Sequence, residues 1–143
     1  MHKKSLYPLL LSLFFFISCD VTQNEMRTSA DPAALPGDWK VDRFMEGSVN
    51  ETSSFNRFRF RFEPNGTFLF LENGNELAKG TWTLLDGNRK LDIDVPPFRN
   101  EDEAEARFGE DVYEIHDDWN VLEFSSNRMR LNSDGEEFIL VRE

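Results

Sequence analysis

The sequence contains very little cysteine and histidine. Its 143 residues include one cysteine, Cys19, and two histidines, His2 and His116. A lone cysteine cannot form a disulfide within the chain, so the hydrophobic core has to hold the fold without a cross-link. A metal site built from cysteine and histidine is excluded by number. We therefore expect no metal and no cofactor.

Positive charge is also scarce. The chain carries 16 lysines and arginines against 27 aspartates and glutamates, which gives a net charge of −11. An acidic protein is repelled by DNA, RNA and anionic lipid headgroups, so we expect no nucleic-acid partner. A chain of this length has room for one domain with a substantial core but hardly for two.

Long apolar runs are absent apart from one near the N-terminus. Residues 9–17 are apolar except for Ser12, and Lys3 and Lys4 precede them. This run is too short to span a bilayer, which takes about 20 apolar residues in a helix. A basic start followed by a short apolar run is typical of a secretory signal. The sequence therefore predicts a signal peptide over residues 1–18 and an exported protein.

The signal ends on Phe16-Ile17-Ser18-Cys19. This stretch resembles the lipobox of bacterial lipoproteins, although phenylalanine stands where leucine is usual. The resemblance implies cleavage between Ser18 and Cys19 and a lipid on the Cys19 thiol, which would anchor the mature chain to a membrane. A buried core cysteine is the alternative, but a cleaved or anchored segment offers no core around Cys19.

Residues 19–34 are polar and lack periodicity, so they predict a lipidated N-terminus followed by a flexible tether. Residues 35–143 form the expected domain, in which tight-turn residues separate short runs rich in aromatic and β-branched side chains. These runs predict strands near residues 39–46, 55–63, 67–72, 77–85, 89–95, 111–117, 120–125, 127–132 and 136–142. We expect 111–117 and 120–125 to be one strand bent at Asp117-Asp118, which leaves about eight strands.

Alternation along these strands indicates that one face lies on a core and the other in water. Phe58, Phe60 and Phe62 fall on one face, and arginines at 57, 59 and 61 fall on the other. These arginines either bind an anionic ligand or pair with acids on neighbouring strands, and we favour the second alternative. Residues 100–109 instead have the composition of a short surface helix, with Phe108 touching the barrel. The expected fold is all-β, an antiparallel meander that closes into a barrel.

Several motifs then follow in a recognisable order. Gly37-Asp38-Trp39 opens the first strand, and Gly80-Thr81-Trp82 recurs in the fourth. Together with the lipobox, they make the chain similar to the small lipocalin-like lipoproteins of Bacteroidetes over most of residues 35–142. The resemblance implies a barrel closed at one end by Gly37, Trp39 and Arg142, with the Arg142 guanidinium over the Trp39 ring.

The inward-facing aromatic residues allow two interpretations. They either fill a narrow barrel, or they line an apolar pocket that is open at one end. The candidate lining residues are Phe44, Phe58, Phe60, Phe62, Phe68, Phe70, Trp82 and Phe124.

Catalytic residues are not evident in the sequence. His116 is the one histidine of the expected mature chain, and no Gly-x-Ser-x-Gly motif accompanies it. The acids cluster in loops, at residues 101–103 and at Asp117-Asp118, where solvation is the ordinary explanation. We therefore expect a protein that is not an enzyme and that has no catalytic residues.

The expected function is that of a lipid-anchored, lipocalin-like protein of the cell envelope that binds a small apolar ligand. The alternative is a protein-interaction or inhibitor module with a filled barrel and an envelope protein as its partner. The resemblance favours the outer membrane, and it leaves the periplasmic and surface faces open.

The lipid anchor is directly testable. In cells fed a radiolabelled fatty acid, Cys19→Ser should abolish labelling of the protein, because the serine hydroxyl does not replace the thiol in lipid transfer. Ser5→Ala, which leaves Phe16 to Cys19 intact, should keep the label. Unchanged labelling of Cys19→Ser would refute the anchor.

Overall fold

The computed structural model describes residues 27–143. The predicted signal peptide, Cys19 and the first part of the predicted tether lie outside the described residues. The described chain holds nine β-strands and one α-helix. The strands are β1 (Gly37–Glu46), β2 (Val49–Asn50), β3 (Phe58–Phe62), β4 (Thr67–Glu72), β5 (Asn75–Leu85), β6 (Lys90–Asp94), β7 (Asp117–Phe124), β8 (Arg128–Ser133) and β9 (Glu136–Arg142), and helix α1 spans Glu101–Phe108.

The strands form a closed antiparallel meander. Each strand from β3 to β9 pairs with the next, and β1 pairs with both β3 and β9, so eight strands close a ring. The short β2 adds to the end of β1 as a ninth strand. The predicted all-β antiparallel barrel is therefore confirmed, including the count of eight strands in the ring.

Alternation of side chains builds the barrel wall. In β3, the three phenylalanines are buried and the arginines between them are half-buried. In β6, Leu91 and Ile93 are fully buried while the residues between them are half-buried. A strand presents successive side chains to opposite faces, so this pattern turns one face into the barrel interior.

One predicted strand is wrong. Residues 111–117 do not form an extended strand that continues into 120–125. Val112–Ile115 is a turn of 3₁₀ helix, and β7 begins at Asp117. Val112 and Ile115 are both buried, and a spacing of three places them on one side of a 3₁₀ turn. The predicted strand 55–63 is similarly shortened, because Thr52–Phe55 is 3₁₀ and β3 begins at Phe58.

The predicted helix at residues 100–109 is present as α1. The Asn100 side chain accepts a hydrogen bond from the Glu103 N–H at 3.1 Å, which caps the first turn. Gly109 follows the last residue with a φ of 106°. Phe108 is 4 % exposed and packs on the barrel phenylalanine Phe70.

The chain crosses one end of the barrel before β1 begins. Thr28 N–H donates to the Val121 carbonyl at 2.9 Å, Ala30 N–H donates to the Asn88 carbonyl at 2.8 Å, and Leu35 is fully buried. We call residues 28–36 the base strap and this end of the barrel the base. Thr28 and Ala30 fall within the segment predicted to be a flexible tether, yet their backbone N–H groups are hydrogen-bonded to the barrel.

The opposite end, which we call the mouth, is covered by a long insertion between β6 and β7. Residues 95–116, the mouth cap, consist of the 3₁₀ turn Pro96–Phe98, α1 and the 3₁₀ turn Val112–Ile115. The cap buries Val95, Phe98, Ala104 and Phe108. The 3₁₀ turn before β3 also contributes Phe55, which is 1 % exposed.

Gly80 lets the cap begin close to the barrel wall. A Cβ at this position would overlap the carbonyl oxygen of Asp94 and lie 2.9 Å from the Val95 Cα. Both neighbours are backbone atoms at the start of the cap, so they cannot move aside as a flexible side chain would.

Gly80→Ala should therefore displace the start of the cap. We expect a loss of about 1–3 kcal/mol in the free energy of unfolding, the usual cost of overpacking a close-packed site. Urea denaturation followed by tryptophan fluorescence measures it. The matched control is Thr83→Ala, an exposed position of the same strand, which should change stability by less than about 0.5 kcal/mol. Equal effects of the two substitutions would contradict this role of Gly80.

Candidate functional site: the barrel interior and its two ends

The centre of the barrel is occupied by the ring of Phe138, on β9. Its centroid lies 4.3 Å from that of Phe44, 5.1 Å from Phe55, 6.5 Å from Phe60 and 5.0 Å from Trp119. These separations are those of aromatic rings in direct contact. All five side chains are at most 1 % exposed. Phe138 is therefore the hub of the aromatic interior.

The aromatic contacts also reach across the barrel. Phe60 lies on β3 and Trp119 on β7, which are four strands apart in the ring of eight and so lie on opposite walls. Phe138 contacts both rings. A chain of rings in contact from one wall to the other fills the space between them. At this level the interior is a packed core.

The structure brings together most of the predicted lining residues. Seven of them are at most 9 % exposed: Phe44, Phe58, Phe60, Phe62, Phe68, Phe70 and Trp82. They contact one another through pairs such as Phe58–Phe70 at 4.6 Å and Phe62–Trp82 at 6.0 Å. Phe124 is only partly buried and packs against the outside of this cluster. The buried side chains are thus each other's neighbours.

The base is closed by Arg142 and Trp39. The guanidinium carbon of Arg142 lies 4.2 Å from the centroid of the Trp39 ring, in cation–π geometry. Arg142 also donates to the carbonyls of Ala34, Pro36 and Ser126, the last two at 2.6 and 3.0 Å. One side chain therefore ties the base strap and the β7–β8 turn to the barrel.

Gly37 and the Trp39 indole complete this closure. A Cβ on Gly37 would overlap the Arg142 guanidinium, and the φ of Gly37 is 133°, a conformation that favours glycine. The Trp39 indole N–H donates to the Leu35 carbonyl at 2.9 Å, inside the core. The structure thus places Gly37, Trp39 and Arg142 in one cluster at the base.

The mouth is plugged by phenylalanines of the cap. Phe98 and Phe108 lie 5.3 Å apart, and each contacts the barrel residue Phe70, at 5.3 and 5.8 Å. All three rings are at most 4 % exposed. The cap therefore occupies the place at which an apolar molecule would enter an open barrel.

His116 lies where the cap rejoins the barrel. Its Nδ1 accepts a hydrogen bond from the Val95 N–H at 2.9 Å and lies 3.5 Å from a carboxylate oxygen of Asp94. Its side chain is 27 % exposed. The imidazole joins the two ends of the insertion, and this contact gives His116 a structural role.

Two glutamates meet between the cap and the barrel rim. Glu114 in the cap and Glu136 at the start of β9 share a hydrogen bond. Burial, then this bond and the charge of Glu114, raise the pKa of Glu136 to about 8. Burial also raises the pKa of Glu114. Two carboxyl groups so close can bond only while one holds a proton.

The arginines at positions 57, 59 and 61 pair with acids. Arg61 donates to both carboxylate oxygens of Asp38 at 2.6 and 3.0 Å, and this bond lowers the pKa of Asp38. Arg59 donates to Glu143 at 2.8 Å, and Arg57 lies 3.6 Å from Glu72. This agrees with the interpretation that the arginines keep an outer face paired and soluble rather than forming an anion site.

Two grooves lie on the surface rather than inside the barrel. One, of about 560 Å³, runs along the base beside Pro36, Pro64 and Arg61. The other, of about 270 Å³, lies at the rim between the end of β1 and the β8–β9 turn, beside Met45 and Glu137.

Among residues 27–143, the structure shows no group of three or more acidic, histidine or cysteine side chains placed to hold a metal ion. Within the same residues, no helix is long and apolar enough to cross a membrane.

The site residues predicted from the sequence, lining and closing motif together, omit five buried rings: Phe55, Phe98, Phe108, Trp119 and Phe138. The alternation Trp119-Asn120-Val121 could have revealed one of them, since the two apolar residues flank a polar one. Phe138 lies in the unbroken apolar run of residues 138–141, which shows no alternation. Phe55, Phe98 and Phe108 lie in short 3₁₀ and helical segments, where no period of two marks the inward face.

The closed eight-stranded barrel, with its tryptophan–arginine closure at the base, is a lipocalin-like fold. No protein-family model and no curated protein matches the sequence. Solved structures do match the fold. A lipocalin-like protein from Bacteroides uniformis ATCC 8492 matches with a TM-score of 0.57 and 20 % identity, over 77 % of this chain and 99 % of that chain.

Two further Bacteroides structures are similar. An uncharacterized protein from Bacteroides eggerthii DSM 20697 matches with a TM-score of 0.54 and 18 % identity, over 76 % of this chain and 98 % of that one. A DUF4847 family protein from Bacteroides vulgatus ATCC 8482 matches with a TM-score of 0.51 and 16 % identity, over 76 % and 93 %. The predicted likeness to lipocalin-like proteins of Bacteroidetes is confirmed at the level of the fold.

Arg142→Ala should loosen the base. It removes the cation from the Trp39 ring and the donors from three carbonyls, so we expect a loss of about 2–3 kcal/mol in the free energy of unfolding. Arg142→Lys keeps the charge but not the planar fork, and should restore only part of the loss.

The matched control is Arg128→Ala. Arg128 pairs with Glu123 across 3.2 Å at the surface, and an exposed pair contributes about 0–1 kcal/mol. Chemical denaturation of the three variants measures the difference. An effect of Arg142→Ala no larger than that of Arg128→Ala would show that the base does not depend on this side chain.

Proposed function

We propose that this chain is a lipid-anchored, non-enzymatic protein of the cell envelope, with a solid barrel that displays an interaction surface for another envelope protein. One observation carries the proposal: the aromatic interior is packed from wall to wall and covered at both ends. The Trp39–Arg142 cluster closes the base, and Phe98 and Phe108 plug the mouth. Because the interior of this barrel is filled, its outer surface is the part available to bind a protein partner.

The size of ordinary ligand sites supports a solid barrel. Pockets for small molecules measure about 300–1,000 Å³ and enclose most of the ligand. Phe138 takes up the centre of this barrel, in contact with rings from both walls. Enlarging the interior to that volume would require Phe138 or its neighbours to leave their packed positions, which costs dispersion contacts and buried apolar area.

The anchor would orient the domain. Arg27 lies at the base, where its guanidinium is 3.5 Å from the carboxylate of Asp86. Eight peptide steps separate it from Cys19, so an extended chain reaches at most about 29 Å. A lipid on Cys19 would therefore hold the base towards the bilayer and the mouth cap away from it. We place this arrangement at the outer membrane, facing either the periplasm or the exterior.

The absence of catalysis is also part of the proposal. The comparable solved structures are lipocalin-like or uncharacterized proteins, and their fold is typically non-enzymatic. The Glu114–Glu136 pair joins the cap to the rim, and we assign it to holding these two parts together rather than to acid–base chemistry.

A second candidate function is binding of a small apolar ligand in the barrel. The lipocalin-like fold of the Bacteroides uniformis protein favours it. This function would require the mouth cap to move, because Phe98 and Phe108 occupy the entrance. The two functions differ in whether the barrel of the native protein carries a ligand.

Native mass spectrometry of the protein, extracted from the membranes of its source, separates them. We expect the mass of the lipidated chain alone, because the packed interior leaves no space for a guest. Phe138→Ala is the positive control: it should open a cavity at the hub and gain saturable binding of an aromatic probe such as benzene. Phe138→Leu supplies a smaller cavity if the alanine variant does not fold.

A stoichiometric apolar adduct on the wild-type protein would refute the solid barrel and establish the second function. Photo-crosslinking in the same cells tests the interaction itself. A crosslinker at an exposed residue of the cap, Asp102, should capture one defined envelope protein, whereas the same cells kept without irradiation should give no adduct. Capture of no protein from any exposed position would contradict the interaction function.

A further inference from the structure

The barrel wall has a gap between β1 and β3. Three ladder pairs join these strands, the last of them Trp39 with Phe60, whereas seven pairs join β1 to β9. A bulge between Val41 and Arg43 then shifts the register of β1, and a bulge bends the strand that carries it. Among residues 27–143, no further pair joins β1 to β3. The wall is therefore closed at this point by something other than neighbouring strands.

Residues 47–57 cover this gap, and we call them the flap. They include the short β2, the 3₁₀ turn Thr52–Phe55 and the two residues that lead into β3. Phe55 is the one buried residue of the flap, at 1 % exposed, and Val49 in β2 is 54 % exposed. The mouth cap, in contrast, buries six apolar residues: Val95, Phe98, Ala104, Phe108, Val112 and Ile115. The apolar contact of the flap with the barrel thus depends on a single ring.

The polar contacts of the flap are also few. Thr52 Oγ1 accepts from the Phe44 N–H at 2.9 Å, and the Glu51 N–H donates to the Phe44 carbonyl at 3.0 Å. A side-chain hydroxyl here bonds the backbone of β1 where a neighbouring strand would otherwise do so. The Ser54 hydroxyl donates to Asp111 of the mouth cap at 3.2 Å. A segment with one buried side chain and a few partly exposed bonds opens at a low cost in free energy.

Phe55 fills a ring-sized site beside the hub of the aromatic interior. Its centroid lies 5.2 Å from that of Phe44 on β1, 6.2 Å from that of Phe60 on β3 and 5.1 Å from that of Phe138. The interplanar angles are 72°, 81° and 83°, so all three contacts are edge-to-face. Aromatic pairs prefer this arrangement. The three surrounding rings therefore form a site that favours an aromatic ring over an aliphatic group of similar size.

We propose that the flap is a lateral gate, and that Phe55 is an intramolecular ligand of a site for one apolar aromatic ring. When the flap moves out, Phe55 leaves the hub. The space between Phe44, Phe60 and Phe138 then opens to solvent through the wall. A free molecule with one aromatic ring fits this space and makes the same edge-to-face contacts. Return of the flap fills the barrel again.

Competition from Phe55 keeps the site closed at rest. A group tethered by a short connection competes at an effective concentration on the order of millimolar or above, so a guest displaces it only when the guest is abundant. The resting barrel is filled, and the gate gives a route through the wall while Phe98 and Phe108 stay in the mouth. The inference goes beyond the proposed function and does not rest on it.

Thiol labelling identifies the place at which the barrel opens. Phe55→Cys and Phe108→Cys, each made in a Cys19→Ser chain, place one buried thiol under the flap and one under the mouth cap. Rates are corrected for the reactivity of each urea-unfolded chain and for its global stability. We expect Phe55→Cys to react at least about tenfold faster, because the flap has far fewer buried contacts than the cap. Equal rates, or a faster reaction of Phe108→Cys, would overturn the gate.

Thr52→Val tests the gate with the buried ring in place. It removes the hydroxyl that ties the flap to β1 and keeps the shape of the side chain. The amides of Glu51 and Ser54 should exchange with deuterium about five- to tenfold faster, the effect of losing one hydrogen bond, while the amides of β4 stay unchanged. Thr83→Val, the same change at an exposed position, should alter neither group. Equal acceleration of β4 and the flap would show a loss of overall stability and contradict the gate.

Phe55→Ala tests the site itself by NMR titration. Without its own ring, the site should bind benzene saturably, and cyclohexane about two- to tenfold more weakly, because only benzene makes the edge-to-face contacts. Val49→Ala, at an exposed position of the same flap, should bind neither. A folded Phe55→Ala that binds both molecules equally, or neither, would overturn the aromatic site. Thiol labelling and amide exchange decide the gate even if this variant does not fold.

Discussion

The contact of Phe138 with rings from opposite walls is the interaction on which the rest of the structure depends. Trp119 from β7 and Phe60 from β3 meet on either side of this ring, and Phe44 stacks on it at 4.3 Å. Aromatic side chains bury the largest apolar area per residue. In a chain whose one cysteine rules out a disulfide, these contacts supply the cohesion that closes the barrel.

The closure of the barrel at its base and at its mouth follows from that apolar interior. A barrel filled with apolar rings has to be shielded from water at both ends, and the chain does this by two different means. At the base, a single arginine spans the Trp39 ring and the carbonyls of the base strap. At the mouth, a polar and acidic insertion turns Phe98 and Phe108 inward and leaves its charges outside. The base is tied by a group that is always charged, whereas the mouth is tied by His116 and by a pair of carboxyl groups. The bond between Glu114 and Glu136 requires a shared proton, so the mouth is the end whose closure depends on pH.

Sequence reasoning was most successful where a local period was strong. The alternation Phe58-Arg59-Phe60-Arg61-Phe62 and the regular turn residues predicted the meander, and the order of the glycine–tryptophan motifs predicted the lipocalin-like fold. The prediction was wrong at residues 111–117, because Val112 and Ile115 follow a spacing of three in a short 3₁₀ turn. The sequence also did not predict that residues 95–116 would cover the mouth of the barrel. The partners of Phe98, Phe108, Glu114 and His116 lie far away in sequence, and only the closed topology brings them together. Whether the aromatic residues fill a core or line a pocket is likewise decided by their distances and not by their order.

With rings in contact from wall to wall, the barrel interior has no room for a guest molecule. Xenon binding measured by ¹²⁹Xe NMR tests this most directly, since xenon enters apolar cavities that water leaves empty. For the wild-type protein, the xenon shift should rise linearly with protein concentration and show no saturable site at pH 7.5. A saturable site whose occupancy perturbs the side-chain signals of Phe138, Phe60 and Trp119 would contradict the claim and show that the barrel contains a cavity.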